Sequence, residues 1–161
     1  MPENERNQKT MMVFSGELDK VMAAFNIAIG ALSMGFQVSM FFTFWGINVL
    51  KKESMTLKNK TLMEKMFGIM MPRGASKLSL SKMNMFGMGT WMMKKRMVAK
   101  KIALLPELIE LSQSMGIKFL ACEMTMDMMG IKPEDLIDGC EIVGAAGYLE
   151  EAEKSNYNLF I

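Results

Sequence analysis

Two side chains in this sequence could act as thiol nucleophiles, Cys122 and Cys140. Seventeen residues separate them, so they are not a CxxC redox pair. The chain has no histidine. That removes Ser-His-Asp and Cys-His catalysis, histidine zinc sites and any histidine pH switch. Two thiols are too few for a four-thiolate zinc or iron–sulfur centre. No clustered carboxylates advertise a metal or glycosidase site. What remains is thiol chemistry or a binding protein, with no metal and no cofactor expected.

Cys122 is the more informative thiol. It closes the apolar run Ile117–Cys122, read as a buried strand, and precedes a short helix expected over Thr125–Met129. A thiol there meets backbone N–H groups and the positive end of a helix, and both favour the reactive thiolate. Glu123 beside it acts in the opposite sense. An inert, buried packing cysteine is the competing reading. Cys140 opens a strand, Glu141–Val143, within the acidic run Glu134, Asp135, Asp138 and Glu141. Those carboxylates disfavour a thiolate, and packing is the expected role. In a parallel sheet the two cysteines would lie at opposite edges, too far apart for a disulfide.

The elements that must position these residues follow from pattern. Lys9–Phe14 reads as a first strand, and Leu18, Val21, Met22, Phe25, Ile29 and Leu32 recur at helical spacing up to Gly35. Ser15 or Gly16 is expected near that helix's cap. Gln37–Phe44 is rich in aromatic and β-branched residues, as strands are. Pro106 starts a helix over Leu105–Ser114, closed by Gly116. A helical turn from Pro133, a helix over Ala145–Lys154 and a final strand over Asn158–Ile161 complete the alternation. The pattern predicts an α/β three-layer sandwich of about five mainly parallel strands, with helices on both faces. Ligands in such sheets sit beyond the carboxyl ends of the strands. That rule selects four places: Ser15-Gly16, Thr43-Phe44-Trp45-Gly46, Cys122-Glu123-Met124 and Gly144-Ala145-Ala146-Gly147. From them Ser15, Gly16, Trp45, Gly46, Glu123, Met124, Gly144 and Ala145, together with Thr125, are the binding candidates. GAAGYLEEA is at most a weak glycine phosphate loop, since small residues before a helix also serve close packing. FSGELDK lacks the second glycine and the Lys-Ser/Thr pair of a Walker loop.

At 161 residues the chain fits one domain, 1–161. Within it, residues 53–101 form a basic, methionine-rich helical insert. Eleven of the 22 methionines lie between Met55 and Met97. Residues 51–101 carry thirteen basic and two acidic side chains, and residues 102–161 three basic and eleven acidic. With arginine only at Arg73 and Arg96 in this block, it reads as a solvated or protein-facing surface rather than a nucleic-acid site. Methionines adapt to irregular partners, so part of the insert's apolar excess is expected at an oligomer contact. Residues 21–50 contain no charge. Gly30, Gly35 and Gly46, and a change from helical to strand texture at Gly35, argue against a bilayer span. Without an export signal and with two cysteines, a reducing cytoplasm is expected.

Three stretches are similar to one family: FSGELDKVMAAFNIAIGALSMGFQVSMFFTFWGINVLKK, LACEMTMDMMGIKPEDL and GAAGYLEEAEKSNYNLFI. They resemble the DsrE/DsrF/DsrH-like family, in the branch often labelled peroxiredoxin-like. FFTFWGIN and Cys-x-Met-(Ser/Thr)-Met-Asp-x-Met-Gly are the motifs that carry the likeness. The resemblance implies a small α/β fold, trimers or hexamers, and sulfur-relay chemistry with a persulfide on the strand-end cysteine, here Cys122. Cys140 matches no active-site position of the family. The functional expectation is a sulfur carrier or sulfurtransferase that takes sulfane sulfur, or a thiosulfonate, on Cys122. It would pass the sulfur to an acceptor protein thiol. Backbone donors and nearby lysines would stabilise the anion, Thr125 would hydrogen-bond the sulfur, and Trp45 would wall the pocket. The alternative is a non-catalytic oligomeric binding module with a structural Cys122. A third reading uses WMMKKRMVAKK as an amphipathic membrane anchor.

Overall fold

A computed structural model describes residues 7–53 and 61–161. The opening polar segment up to residue 6 and residues 54–60 of the insert lie outside them. Five strands form one sheet: β1 (Gln8–Val13), β2 (Gln37–Phe42), β3 (Lys118–Cys122), β4 (Cys140–Val143) and β5 (Ser155–Phe160). Their order is β4-β3-β2-β1-β5, and every pairing is parallel. Parallel neighbours require crossovers, which here carry α1 (Leu18–Ser33), α2 (Leu62–Met70), α3 (Met88–Ala99), α4 (Leu105–Ser114), α5 (Glu123–Met129) and α6 (Ala145–Glu153).

The sheet separates two unequal apolar layers. On one face Met11 and Val13, Val38, Met40 and Phe42, and Phe119 and Ala121 pack with Val21, Phe25 and Ala28 of α1 and with Leu105, Leu108 and Ile109 of α4. Phe25, Phe42 and Phe119 meet there at ring separations of 5.6 to 6.1 Å. On the other face Phe41, Leu120 and Cys122 pack with Tyr148 of α6, whose ring stacks on Phe41 at 4.7 Å. Strand alternation explains the division, because successive side chains leave opposite sides of the sheet.

Residues 21–50 are α1, β2 and a 3₁₀ turn over Phe44–Leu50. No helix among the described residues is long and apolar enough to cross a membrane. The insert is stitched to the sheet rather than appended to it. Met71, Ala75 and Leu78 are buried in the main core. Ser79 O accepts from Leu18 N–H at 2.8 Å, and Ser81 donates from N–H and Oγ to Asp19 at 2.8 and 2.6 Å. Within Ser81–Lys101 the helix α3 starts only at Met88, because Met83, Met85 and Phe86 take left-handed backbone ahead of it. Nor does α3 segregate apolar from basic residues: Trp91, Met92 and Val98 are exposed among Lys95 and Arg96. The membrane-anchor reading therefore loses its amphipathic face.

Candidate functional site

The site is built from the end of β3 outward. β3 buries Phe119 to Cys122 between β2 and β4, and its last residue pairs with Val143. The helix α5 begins at once, with Cys122 as its cap residue in extended backbone. It closes at Gly130, whose φ of 63° suits glycine. Met126 and Met129 send α5 to the α1/α4 face, whereas the loop after β4 leads to α6 on the opposite face. The connections after β3 and β4 thus leave to opposite sides, and Cys122 stands at the crevice between them. That is the switch point at which open α/β sheets bind ligands.

Cys122 is 4% exposed, less than Cys140. Burial pushes its thiol up, but the hydroxyls of Thr125 and Thr43 and the amides of Thr125 and Met124 hydrogen-bond the sulfur. Together these donors prevail, and the thiol is held below the ordinary cysteine value. The two hydroxyls are 3.1 Å apart, and Thr125 Oγ1 also accepts the Phe44 N–H at 3.1 Å. Phe44 reaches it from left-handed backbone at φ 45°, immediately after β2. Thr43 belongs to the stretch after β2 that the strand-end rule selects, although it is not among the binding candidates drawn from it. It was visible only as the residue following β2, on the same sheet edge as Cys122.

Cys140 lies on the neighbouring strand opposite Phe119, three positions below Val143. At about 3.3 Å per residue the two cysteines are about 10 Å apart along the strands, beyond disulfide reach. Both are free. The Cys140 thiol is pushed up to about 12, first by burial and then by Asp138, with Lys52 opposing. Of the four carboxylates expected to act on it, only Asp138 is among these causes. Asp135 instead turns back to accept the Lys132 N–H at 3.0 Å.

The remaining sequence candidates fall into two groups. Glu123, Met124, Thr125 and Gly144 gather at the Cys122 crevice. Glu123 Oε2 would lie 3.9 Å from a Cβ on Gly144. Ala145 opens α6 there, and Gly147 lets that helix approach to where a Cβ would be 3.1 Å from Val143. The small residues thus serve close packing. Ser15, Gly16 and Trp45 line a separate cleft of about 510 Å³ with Phe14, Phe160 and Ile161, and Cys122 is not part of it. Trp45 thus lines this cleft with Ser15 and Gly16. The turn at Phe44 directs Trp45 to Gly16, where a Cβ would meet the Trp45 carbonyl at 2.7 Å. Gly46 packs under β1, and a Cβ there would lie 2.1 Å from the Val13 carbonyl. Among the described residues, the groups acting most on the sulfur are hydroxyls and amides. Ser15 lies near the cap of α1, as expected. Glu17 is the cap residue, and its N–H donates to Ser15 Oγ at 3.3 Å.

A parallel five-stranded sheet with a strand-end cysteine at its switch point narrows the class to thiol-bearing α/β domains. The profile of the DsrE/DsrF/DrsH-like family matches residues 5–160, and the chain belongs to that family. It is 47% identical over 157 residues to the uncharacterised protein YrkE of Bacillus subtilis, covering 98% of each chain. It is 37% identical over 165 residues to the sulfur carrier protein DsrE2 of Allochromatium vinosum, covering 98% of this chain and 99% of that one. Two solved structures share the fold. The ychN protein of E. coli superposes with a TM-score of 0.56 at 12% identity, over 96% of this chain and 99% of that one. The protein of unknown function MTH1491 of Methanobacterium thermoautotrophicum gives 0.54 at 14% identity, over 94% and 97%. The family role is sulfur relay.

Proposed function

We propose that this chain is a sulfur carrier that holds sulfane sulfur as a persulfide on Cys122. The observation that carries the reading is the contrast in donors. The Cys122 sulfur receives two hydroxyls and two amides that favour its anion, whereas burial and Asp138 keep Cys140 protonated. A relative at 37% identity that is a sulfur carrier supports it.

In the loading step the Cys122 thiolate attacks the outer sulfur of a donor persulfide. The new S–S bond forms as the donor's S–S bond breaks, and the donor leaves as a thiolate. In the unloading step an acceptor protein thiolate attacks the outer sulfur, and Cys122 departs as the thiolate. No net oxidation occurs, and no metal or cofactor takes part. The hydroxyls and amides stabilise the leaving Cys122 anion in the second step, where charge develops on the inner sulfur. With tetrathionate the same attack leaves a thiosulfonate on Cys122 and releases thiosulfate.

The same reading places the protein in the cytoplasm, as a homo-oligomer exchanging sulfur with donor and acceptor proteins. Intact-mass spectrometry after polysulfide or tetrathionate tests it. Wild type and Cys140→Ser should gain the adduct, and Cys122→Ser should not. Adduct formation on Cys122→Ser would sink the assignment and leave Cys122 as a packing residue of a binding module.

A further inference from the structure

The insert carries a groove that the sulfur chemistry above does not use. It is a cleft of about 500 Å³ where the segment around Met83 and α3 meet the start of α1. Met83, Met85, Met88, Met92 and Met93 line it, and its cations are Lys82 and Arg96. The carboxylate at its edge, Asp19, is already held by Ser81. The walls are firmly built. Met83, Met85 and Phe86 have φ of 57°, 41° and 56°, a conformation that non-glycine residues adopt only at a cost. Thr90 Oγ1 donates to Asn84 Oδ1 at 2.7 Å and accepts the Leu80 N–H at 3.0 Å. A Cβ on Gly89 would stand 1.8 Å from the Met83 carbonyl.

The lip of the Cys122 site has the complementary make-up. α5 exposes Glu123 and Asp127, and beside them Met124 and Met128 at 59% and 53%. Each pair is spaced i, i+4, so the four side chains form one ridge. A thiolate or persulfide at Cys122 is an anion next to Glu123, and among the described residues the groups that act most on it are hydroxyls and amides. The ridge is acidic and methionine-bearing; the groove is basic and methionine-lined.

We infer that the groove of one copy docks on the α5 ridge of a second copy, so that Lys82 and Arg96 of one chain supply positive charge at the Cys122 site of the next. The inference rests on the reading of Cys122 as the carrier of an anionic sulfur. Methionines on both sides let the surfaces adapt, and the opposed charges set orientation. Groove and ridge are different surfaces, so the contact is head-to-tail and closes a ring or extends a chain of copies.

The test combines mass and loading rate on the full chain. Lys82→Glu/Arg96→Glu and Glu123→Lys/Asp127→Lys should each lower the assembly mass in sedimentation velocity. The first pair should also slow polysulfide loading about tenfold, the size expected on removing close charge pairs. All four substitutions in one chain should restore the mass, which also shows that the variants fold. Mixing Lys82→Glu/Arg96→Glu chains with Cys122→Ser chains should restore loading on the former, because the latter keep an intact groove. A monomeric wild type, unchanged masses in both charge-reversed pairs, or no recovery on mixing would overturn the inference. If wild type takes up no sulfur, the carrier reading falls, and the masses alone decide the contact.

Discussion

Cys122 and Cys140 stand on neighbouring strands of one sheet, and they differ in the opposite sense from what exposure suggests. The more deeply buried thiol is the one held below the ordinary value, and the more exposed one is pushed up to about 12. Burial acts against both anions. What separates them is the end of the strand: past the carboxyl end of β3 the chain turns and presents amides and threonine hydroxyls, whereas Cys140 begins β4, opposite Phe119. Thiolate supply in this fold is set by donors at the strand end, not by access to water.

The sharpest way to break that comparison is to remove each sulfur. Cys122→Ser should abolish adduct formation and Cys140→Ser should leave it within about twofold, a difference far larger than ordinary surface effects. Next in size is the hydroxyl pair. Thr125→Val and Thr43→Val should each slow iodoacetamide alkylation of Cys122 at pH 7 by about three- to tenfold, since a full pKa unit is worth about 1.4 kcal/mol. Thr125→Val should have the larger effect on alkylation, because the Thr125 hydroxyl is the strongest donor to the sulfur. The substitution also strands the Phe44 N–H, costing about 1–3 kcal/mol of stability. Unchanged alkylation in both variants would show that the amides alone hold the thiolate.

A third measurement titrates the two thiols. Alkylation of Cys122 in Cys140→Ser should rise with pH from below the ordinary cysteine range. Cys140 in Cys122→Ser should stay slow through neutral pH. The raised Cys140 value also affects stability. Its unfolded thiol ionises near 9 while the folded one holds its proton to about 12. The contribution is therefore complete below about 9 and is lost as pH climbs towards 12. Denaturant midpoints across that window should fall less in Cys140→Ala than in wild type. The smallest expected effect sharpens the division between the two clefts. Trp45→Ala should leave Cys122 alkylation within about twofold, because an exposed side chain that does not touch the sulfur leaves its donors in place.

Much of this was legible in the residues. Pro106 and Gly116 bracket α4 as read, and the buried strand ending at Cys122 needed only its apolar run. The final strand was placed too late, because Ser155, Asn156 and Asn158 carry no alternation on an edge strand with exposed side chains. Phe44 gave no turn signal, since aromatic residues rarely take left-handed backbone. The residues place Thr43 and Trp45 together at the end of the second strand, whereas the turn leaves Thr43 at the sulfur and sends Trp45 to the cleft beside Ser15 and Gly16. The acidic run around Cys140 predicted the right direction for partly the wrong reason, because desolvation outweighs the carboxylates there.

The position of β1 governs how the molecule comes together. It pairs with β2 on one side and β5 on the other, and Phe14 N–H and Met12 C=O both bond to Ile161. Nearly the whole sequence lies between β1 and its second neighbour, and closing so large a loop is slow. During synthesis β1 must wait with one edge open until β5 has emerged. That edge is the part of the folding chain most exposed to pairing with a stranger's strand, and the part a chaperone would do best to shield.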